Sequence, residues 1–540
     1  LTGLELTLPY LVKEGIDRAV VPALQGTLAS GQAVLSLSRL GVLYLGLLLL
    51  IFGLNYLLFY QLQWIGQTIM ARIRRDLLRH LLSLPVPFLD SQPIGRFVTR
   101  ATHDVAALNA LYVTIAPVVF KDVLLILGIS GILLTLNARL FGVLVLLVPA
   151  LGALSYVFQK EVRQAYLDVR KHLARLNAFV QEHLSGLEVL QAFRAEPHSY
   201  RDFQRINQDL YGAYYRQIAL FSLFRPTISF FPSLATALIL WVGGGEVLRQ
   251  TLTFGALVAF LDYVKKLFTP IQDLAEKFNI YQSALAASQR LHTLMRTPPE
   301  RRGGRRPSPF RGRIEFDHVW FAYEDERWVL KDITFTLEPG EVFALVGPTG
   351  TGKSTLVALL LGFREPQRGE IRVDGVPLKE IDLAWWRSQI GWVSQESLLF
   401  EEDWTRNITL FTRFPEEEVD ALIRRLDLRI LDQQGLASGE KQMLSLARVF
   451  LFRRRILILD EATSHLDSLT EARLDRALDA LFQGRTGLII AHRLSTLKRA
   501  HRILVMDRGR IVEAGSHEAL LQKDGLYAMY CRLHFGRLAV

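Results

Sequence analysis

Residues 347–355 read Gly-Pro-Thr-Gly-Thr-Gly-Lys-Ser-Thr, after the apolar run Val342-Phe343-Ala344-Leu345-Val346 and before Leu356-Val357-Ala358-Leu359-Leu360. The spacing of Gly347, Gly352, Lys353 and Ser354 is that of a phosphate loop joining a strand to a helix. Glycines at 347, 350 and 352 let the backbone N–H groups of the loop, those of Thr349 and Thr351 among them, turn onto phosphate oxygens on either side of Pro348. The helix N-terminus adds partial positive charge at the same place. Lys353 would reach the β- and γ-phosphates, and the Ser354 hydroxyl would ligate Mg²⁺. A bare glycine turn has no need of Lys-Ser directly after its last glycine. The loop therefore predicts a nucleoside triphosphate ligand.

A second cluster completes the chemistry. Ile456-Leu457-Ile458-Leu459 runs straight into Asp460-Glu461. An apolar run ending in two carboxylates reads as a buried parallel strand with acids at its C-terminal end. Asp460 would hold Mg²⁺, directly or through water. Glu461 is placed to polarise an attacking water. An acidic pair at a strand end is common, but about a hundred residues after a phosphate loop it supplies the missing half of one site.

The elements that carry these residues divide the chain in two. At 540 residues several domains are expected. Net charge is +10 and mean hydropathy +0.21, and the apolar excess sits before residue 300. Residues 40–71 contain no charge, more than the ~20 apolar residues a spanning helix needs. Further apolar runs cover 123–138, 140–159, 218–245 (interrupted by Arg225) and 252–261. Between them, 137–139 and 243–251 are short turns, whereas 72–104 and 160–216 are long, charged and patterned as amphipathic helix. This alternation gives six spans. The first is incomplete, because Leu1–Val12 reads as the outer half of a helix whose beginning is missing; no cleavable signal peptide is visible. Arginines such as Arg72, Arg74, Arg75 and Arg79 crowd the long arms, which places the arms on the cytoplasmic side. This location accounts for the basic charge without nucleic acid. The single cysteine, Cys531, excludes an internal disulfide framework.

Charges within the spans call for separate readings. Lys121-Asp122 lies 16 residues before the turn at Asn137, about 24 Å along a helix, and reads as a pair snorkelling at the inner interface. Asp262, Lys265 and Lys266 would sit deeper, roughly 13 Å in for Asp262 if the last span begins near Thr253. With Arg225 they are candidates for lining a polar cavity. An Asp262–Lys266 pair at i,i+4 is compatible with that role and could also merely neutralise itself.

A polar, Pro/Gly-rich stretch at 298–312 separates the membrane half, 1–297, from an α/β half at 313–540. Further motifs stand there in order: Tyr323, Gln395 in Val393-Ser394-Gln395-Glu396, Leu436-Ala437-Ser438-Gly439-Glu440-Lys441-Gln442, Ser464-His465-Leu466-Asp467, and His492 in Ile490-Ala491-His492-Arg493. Over nearly its full length the chain resembles half-transporters of the ATP-binding cassette (ABC) exporter family, of the multidrug and lipid exporter kind. The resemblance implies a multidomain fold, an all-α transmembrane domain followed by an α/β P-loop ATPase. It implies that Tyr323 stacks on adenine, that Gln395 contacts Mg²⁺ and couples to the membrane half, and that His492 contacts the γ-phosphate. Ser438, Gly439 and Glu440 would close on the nucleotide of a second subunit.

Two departures from the family pattern carry expectations of their own. Ala437 stands where relatives usually carry serine. The lost hydroxyl would weaken the ATP site this chain completes on its partner, since a charge-assisted hydrogen bond is worth roughly 1.5–3 kcal/mol. That defect favours a heterodimer over a homodimer. The stretch from Gln395 to Leu436 is short for the family, with the shortfall near 427–435. The chain is thus expected to be an integral membrane protein of a prokaryotic plasma (inner) membrane, with its ATPase domain in the cytoplasm. It would export a drug, lipid or peptide by alternating access, in contact with membrane lipid, with arm contacts near 96–104 and 193–202. An ATP-gated channel or regulatory subunit is the alternative, opposed by the presence of Glu461. A soluble cassette ATPase acting on nucleic acid is excluded by the charge-free spans.

Overall fold

The computed structural model describes residues 1–540 apart from 325, 396, 427, 429–437, 461–467, 492–493 and 536–540. The side chains of some further helical residues, including Arg225, Ser438 and Gly439, also lie outside the description. Packing of the chain separates two units. One comprises Leu1–Leu82 and Ile94–Thr297; the other comprises Ser83–Pro93 together with Pro298–Val540. The first arm is therefore split: its elbow at 83–93 groups with the second unit, whereas the 96–104 stretch belongs to the first.

The first unit is helical. Its long rods are Ser30–Leu81, Ile94–Leu136, Ala138–Ser185, Glu196–Leu248 and Phe254–Arg296, preceded by Thr2–Gly15. The first rod runs through a π-helical turn at Ile16–Val20 to Val21–Leu24. Among the described residues, Ser30–Leu81, Ile94–Leu136 and Glu196–Leu248 are long and apolar enough to cross a membrane, and Ala138–Leu154 is a shorter apolar helix. Asn137 turns the chain between two rods, and its side chain accepts from the N–H groups of Arg139 and Leu140, capping the helix it starts. The common core is built from residues such as Ile129, Leu133, Leu144, Ile239, Phe260 and Tyr263.

Lys121 and Asp122 both find partners on other helices. Lys121 donates to Glu5 at 2.7 Å, and Lys277 donates to Asp122 at 2.6 Å. To the expected position near the interface the structure adds cross-helix ion pairing, the usual arrangement for charges near apolar spans. At the start of the last helix, Asp17 accepts from Thr253 Oγ1 at 2.6 Å and from the Gly255 N–H at 2.8 Å. A side chain from the first helix thereby satisfies an N-terminal donor of the last.

The second unit has two sheets. Four strands pair antiparallel in the order β2-β1-β4-β5: β1 (Ile314–Ala322), β2 (Trp328–Leu337), β4 (Arg368–Val373) and β5 (Val376–Pro377), with β3 (Val342–Val346) in the other sheet. That sheet has the order β10-β9-β3-β8-β7-β6, with β6 (Ile390–Val393), β7 (Ile456–Asp460), β8 (Thr486–Ile490), β9 (Arg502–Asp507) and β10 (Arg510–Gly515). Its five strands from β9 to β6 are parallel. The alternation along β3 explains its unbroken apolarity. Val342, Ala344 and Val346 enter one core, and Phe343 and Leu345 enter the other, as a strand buried on both faces requires.

The stretch at 298–312 is strapped to this unit. Arg387 grips Glu300 with two hydrogen bonds of 2.7 Å. Arg301 donates to the carbonyls of Leu378 and Ile381, and Arg306 pairs with Asp382. Arg305 forms an isolated parallel bridge to Ile381.

Candidate functional site: a nucleotide pocket at the ends of parallel strands

The register of the parallel sheet aligns the expected chemistry. Ile490 pairs with both Leu345 and Asp460, and Leu459 pairs with Val393. The carboxyl ends of β3, β8, β7 and β6 therefore lie along one sheet edge, where open α/β sheets bind ligands. From that edge the phosphate loop follows β3, Asp460 ends β7, and Gln395 stands two residues beyond β6, exposed. Glu461 and His492 follow β7 and β8 in sequence and lie outside the described residues. So do Ala437 and the stretch expected to be short.

The loop has the conformation its glycines allow. Gly350 (φ +84°) and Gly352 (φ +101°) lie in the left-handed region, where only glycine is free of strain. A Cβ on Gly352 would also meet Leu330 Cδ2 at 2.5 Å. Gly352 caps the helix Lys353–Leu360, so the first turn points its N–H groups into the loop. Thr351 Oγ1 donates to the Pro348 carbonyl at 2.9 Å. Pro348, Thr349, Gly350 and Ser354 are exposed, whereas Thr351, Lys353 and Thr355 are buried.

Lys353 is folded into the loop it serves. Its ammonium donates to the carbonyls of Gly347 at 2.6 Å and Pro348 at 2.9 Å. Burial pushes its pKa down, and the Asp460 carboxylate opposes that shift. Asp460 mirrors it: burial raises the carboxyl pKa, and Lys353 opposes. A half-desolvated carboxylate facing an ammonium suits a cation bound between protein and phosphates. Ser354, with its exposed hydroxyl, and Gln395 complete a hard-oxygen donor set that fits Mg²⁺.

Tyr323 stands just beyond the end of β1 and is 53 % exposed. Its hydroxyl hydrogen-bonds the Thr355 hydroxyl at 3.1 Å, which ties it to the phosphate loop. Phe321 meets the ring edge-on with centroids 5.0 Å apart. The far end of the loop helix is also fixed. Trp386 Nε1 donates to the Leu360 carbonyl at 2.7 Å, and Arg387 donates to those of Leu361 and Gly362, closing its last turn.

Glu440 lies in the helix Ser438–Phe452. Arg448, further along, donates to the Asn407 carbonyl at 2.7 Å, and burial lowers its pKa. Asn407 is itself buried and gathers the turn before it, accepting from the Phe400 N–H and donating to the carbonyls of Phe400, Glu402 and Asp403. Asn407, in the short helix Trp404–Thr409, carried no signal in the sequence.

In the helical unit, Asp262 and Lys266 pair at 3.3 Å. Lys265 and Thr269 are exposed on the same side, while Tyr263, Val264, Leu267 and Phe268 are buried. The last helix thus carries a polar stripe opposite its packed face. Arg225, the fourth candidate for this group, has its side chain outside the described residues.

Comparison with known proteins agrees with the order of these parts. Residues 2–271 match the family model for the ABC transporter transmembrane region, and residues 330–464 match the ABC transporter model. The chain belongs to the ABC transporter family. It is 34% identical over 515 residues to a Bacillus subtilis protein named as a probable multidrug resistance ABC transporter ATP-binding/permease protein, covering 92% of this chain and 76% of that one. It is 33% identical over 494 residues to an ATP-dependent lipid A-core flippase of Burkholderia pseudomallei, covering 88% and 83%. With a Streptococcus pneumoniae putative ABC transporter ATP-binding protein it shares 31% over 559 residues, covering 99% and 95%. This ABC transporter is therefore an integral membrane ATPase that binds nucleotide and couples ATP hydrolysis to transport.

Proposed function

We propose that this ABC transporter is one subunit of an exporter that moves a hydrophobic or amphipathic cargo, a drug, lipid or peptide, by alternating access. The observation that carries the reading is the single sheet edge that joins the phosphate loop, Asp460 and Gln395, in a chain that also carries long apolar helices. The names of two relatives, a multidrug resistance transporter and a lipid flippase, support the direction and the cargo class.

The roles of Tyr323, the phosphate loop, Asp460 and Gln395 rest on the described geometry, and those of Glu461, His492, Ser438, Gly439 and Glu440 on the family resemblance. Tyr323 stacks on adenine through its ring. The N–H groups of the 347–352 loop hold the phosphates, and Lys353 exchanges its loop carbonyls for β- and γ-phosphate oxygens. Ser354, Asp460 and Gln395 would hold Mg²⁺, which when bound neutralises charge on the phosphates. Glu461 accepts a proton from the attacking water, and His492 contacts the γ-phosphate. Ser438, Gly439 and Glu440 complete the site of a second subunit. A partner with a complete signature and a substituted glutamate would make the Ala437 defect harmless, and we favour that heterodimer. The polar stripe of Asp262, Lys265 and Lys266 lines the cargo path. The membrane is a prokaryotic inner membrane with the ATPase unit in the cytoplasm.

One experiment tests this. The transporter is purified with its native partner, its subunits are identified by mass spectrometry, and Glu461→Gln is compared with wild type. ATP binding should persist while turnover falls by about 10²-fold or more, as for loss of a general base. Near-normal turnover in the variant would exclude Glu461 as base. A complex of this chain alone with two equally active sites would exclude the heterodimer.

A further inference from the structure

The proposed stacking residue is held at three points. Its hydroxyl rests on Thr355. The backbone just before it is clamped by Gln367, whose side-chain amide accepts from the Ala322 N–H at 3.1 Å and donates to the Ala322 carbonyl at 2.7 Å. The third hold is Arg364, whose guanidinium lies over the Tyr323 ring, 5.3 Å from its centroid. Arg364 also donates to Asp90 Oδ2 at 3.0 Å. Asp90 ends the short helix Val86–Asp90 in the 83–93 elbow. In sequence that elbow lies between the rods Ser30–Leu81 and Ile94–Leu136, yet it groups with the ATPase unit. A cavity of about 430 Å³ opens here, lined by Pro85 and Pro87 of the elbow and by Tyr323, Arg364 and Gln367.

We propose that Arg364 is a positioning residue for the nucleotide base, and that through Asp90 it links the stacking ring to the elbow of the first arm. A cation over the ring fixes its orientation, and the residue stays half-exposed, which leaves room for a planar base. Asp90 keeps the guanidinium there; without it the long side chain is free to leave. The Arg364 side chain is 22% exposed and that of Asp90 59%. The pair by itself therefore contributes little, and its effect runs through the ring. Such a linkage is reciprocal: if Asp90 strengthens ATP binding, bound ATP strengthens the Arg364–Asp90 pair by the same factor. The proposal rests on the reading of Tyr323 as the residue that stacks on the base.

The test uses the full transporter in lipid nanodiscs, with ATP as substrate and inorganic tripolyphosphate, which has no base, as competing inhibitor. Arg364→Ala should raise KM for ATP about three- to tenfold, the range of a cation–π contact, with a smaller change in kcat and the same tripolyphosphate inhibition constant. Arg364→Lys should recover part of the loss. Asp90→Ala should raise KM about twofold, and the double variant should be no worse than Arg364→Ala, as expected for two groups acting in series. An unchanged KM in Arg364→Ala, equal weakening of ATP and tripolyphosphate, or additive single effects would each overturn the proposal. Tyr323→Ala separates the two levels. If it leaves KM for ATP unchanged, the stacking reading fails and the proposal with it. If it raises KM while Arg364→Ala is silent, only the proposal fails.

Discussion

Lys353→Met is the sharpest probe of the phosphate loop. Methionine keeps the length and most of the volume of the buried side chain and deletes the ammonium. In the free protein that ammonium already donates to the Gly347 and Pro348 carbonyls, at 2.6 and 2.9 Å. Binding ATP therefore exchanges two bonds to neutral carbonyls for bonds to phosphate. The ammonium makes its bonds to carbonyls charge-assisted already, at about 1.5–3 kcal/mol each, so binding gains only the excess that an anionic acceptor adds. The net loss on substitution should lie near the low end, about 1.5–2 kcal/mol, or roughly 10- to 30-fold in affinity. The unliganded protein should change little in stability. Two bonds are lost, but the substitution also removes an ammonium whose pKa burial has pushed down. The assay is equilibrium binding of a fluorescent ATP analogue to the purified transporter, with a thermal melt of the nucleotide-free protein as control. Affinity within twofold of wild type, with an unaltered melt, would refute the exchange of partners at Lys353. A large loss of stability without nucleotide would show instead that the ammonium holds the loop together.

Charges in the two units lead to two more expected outcomes. Burial raises the Asp460 pKa, so the native state holds that proton more tightly than the unfolded chain. The carboxyl's contribution is then most favourable below the ordinary carboxylate range and is lost as pH rises through the raised value. Asp460→Asn should accordingly raise the melting temperature of the nucleotide-free protein at neutral pH, with the gain shrinking as pH falls through the raised value towards the ordinary carboxylate pKa of about 4, while the variant loses its stabilisation by Mg²⁺ and ATP; a pH-independent melting difference would contradict the sign. In the helical unit, Asp262→Ala should alter cargo-stimulated ATPase activity more than basal activity, because its carboxylate lies on the exposed stripe. An unaltered cargo response with poor expression would assign the Asp262–Lys266 pair a structural role.

How much the sequence disclosed depends on how far apart the partners stand. The phosphate loop was legible because its strand, glycines, lysine and helix lie within about twenty consecutive residues, and each residue type has one clear use there. Asp460 was legible because an unbroken apolar run fixes a two-faced buried strand, and the acid marks its end. The holds on Tyr323 were not. Arg364 reaches Asp90 across 274 residues and Gln367 reaches Ala322 across 45; no periodicity joins such positions. The same limit explains Lys121. Rise per residue gave its depth along the helix, but not its partner Glu5, 116 residues away.

The stretch after residue 297 behaves the same way. Its prolines and glycines announce a break in helical structure, and they deliver one, since the last rod ends at Arg296. Composition alone would make residues 298–312 a loose tether. Yet Glu300, Arg301, Arg305 and Arg306 each find a partner at 378–387. Arg387 joins Glu300 to the carbonyls of Leu361 and Gly362 behind the phosphate-loop helix. Glycine and proline report only what the backbone can do locally; the arginines report what it is tied to, and only once their acids are brought near. The first residues beyond the membrane half are thus bonded, through one guanidinium, to the element that begins at Lys353.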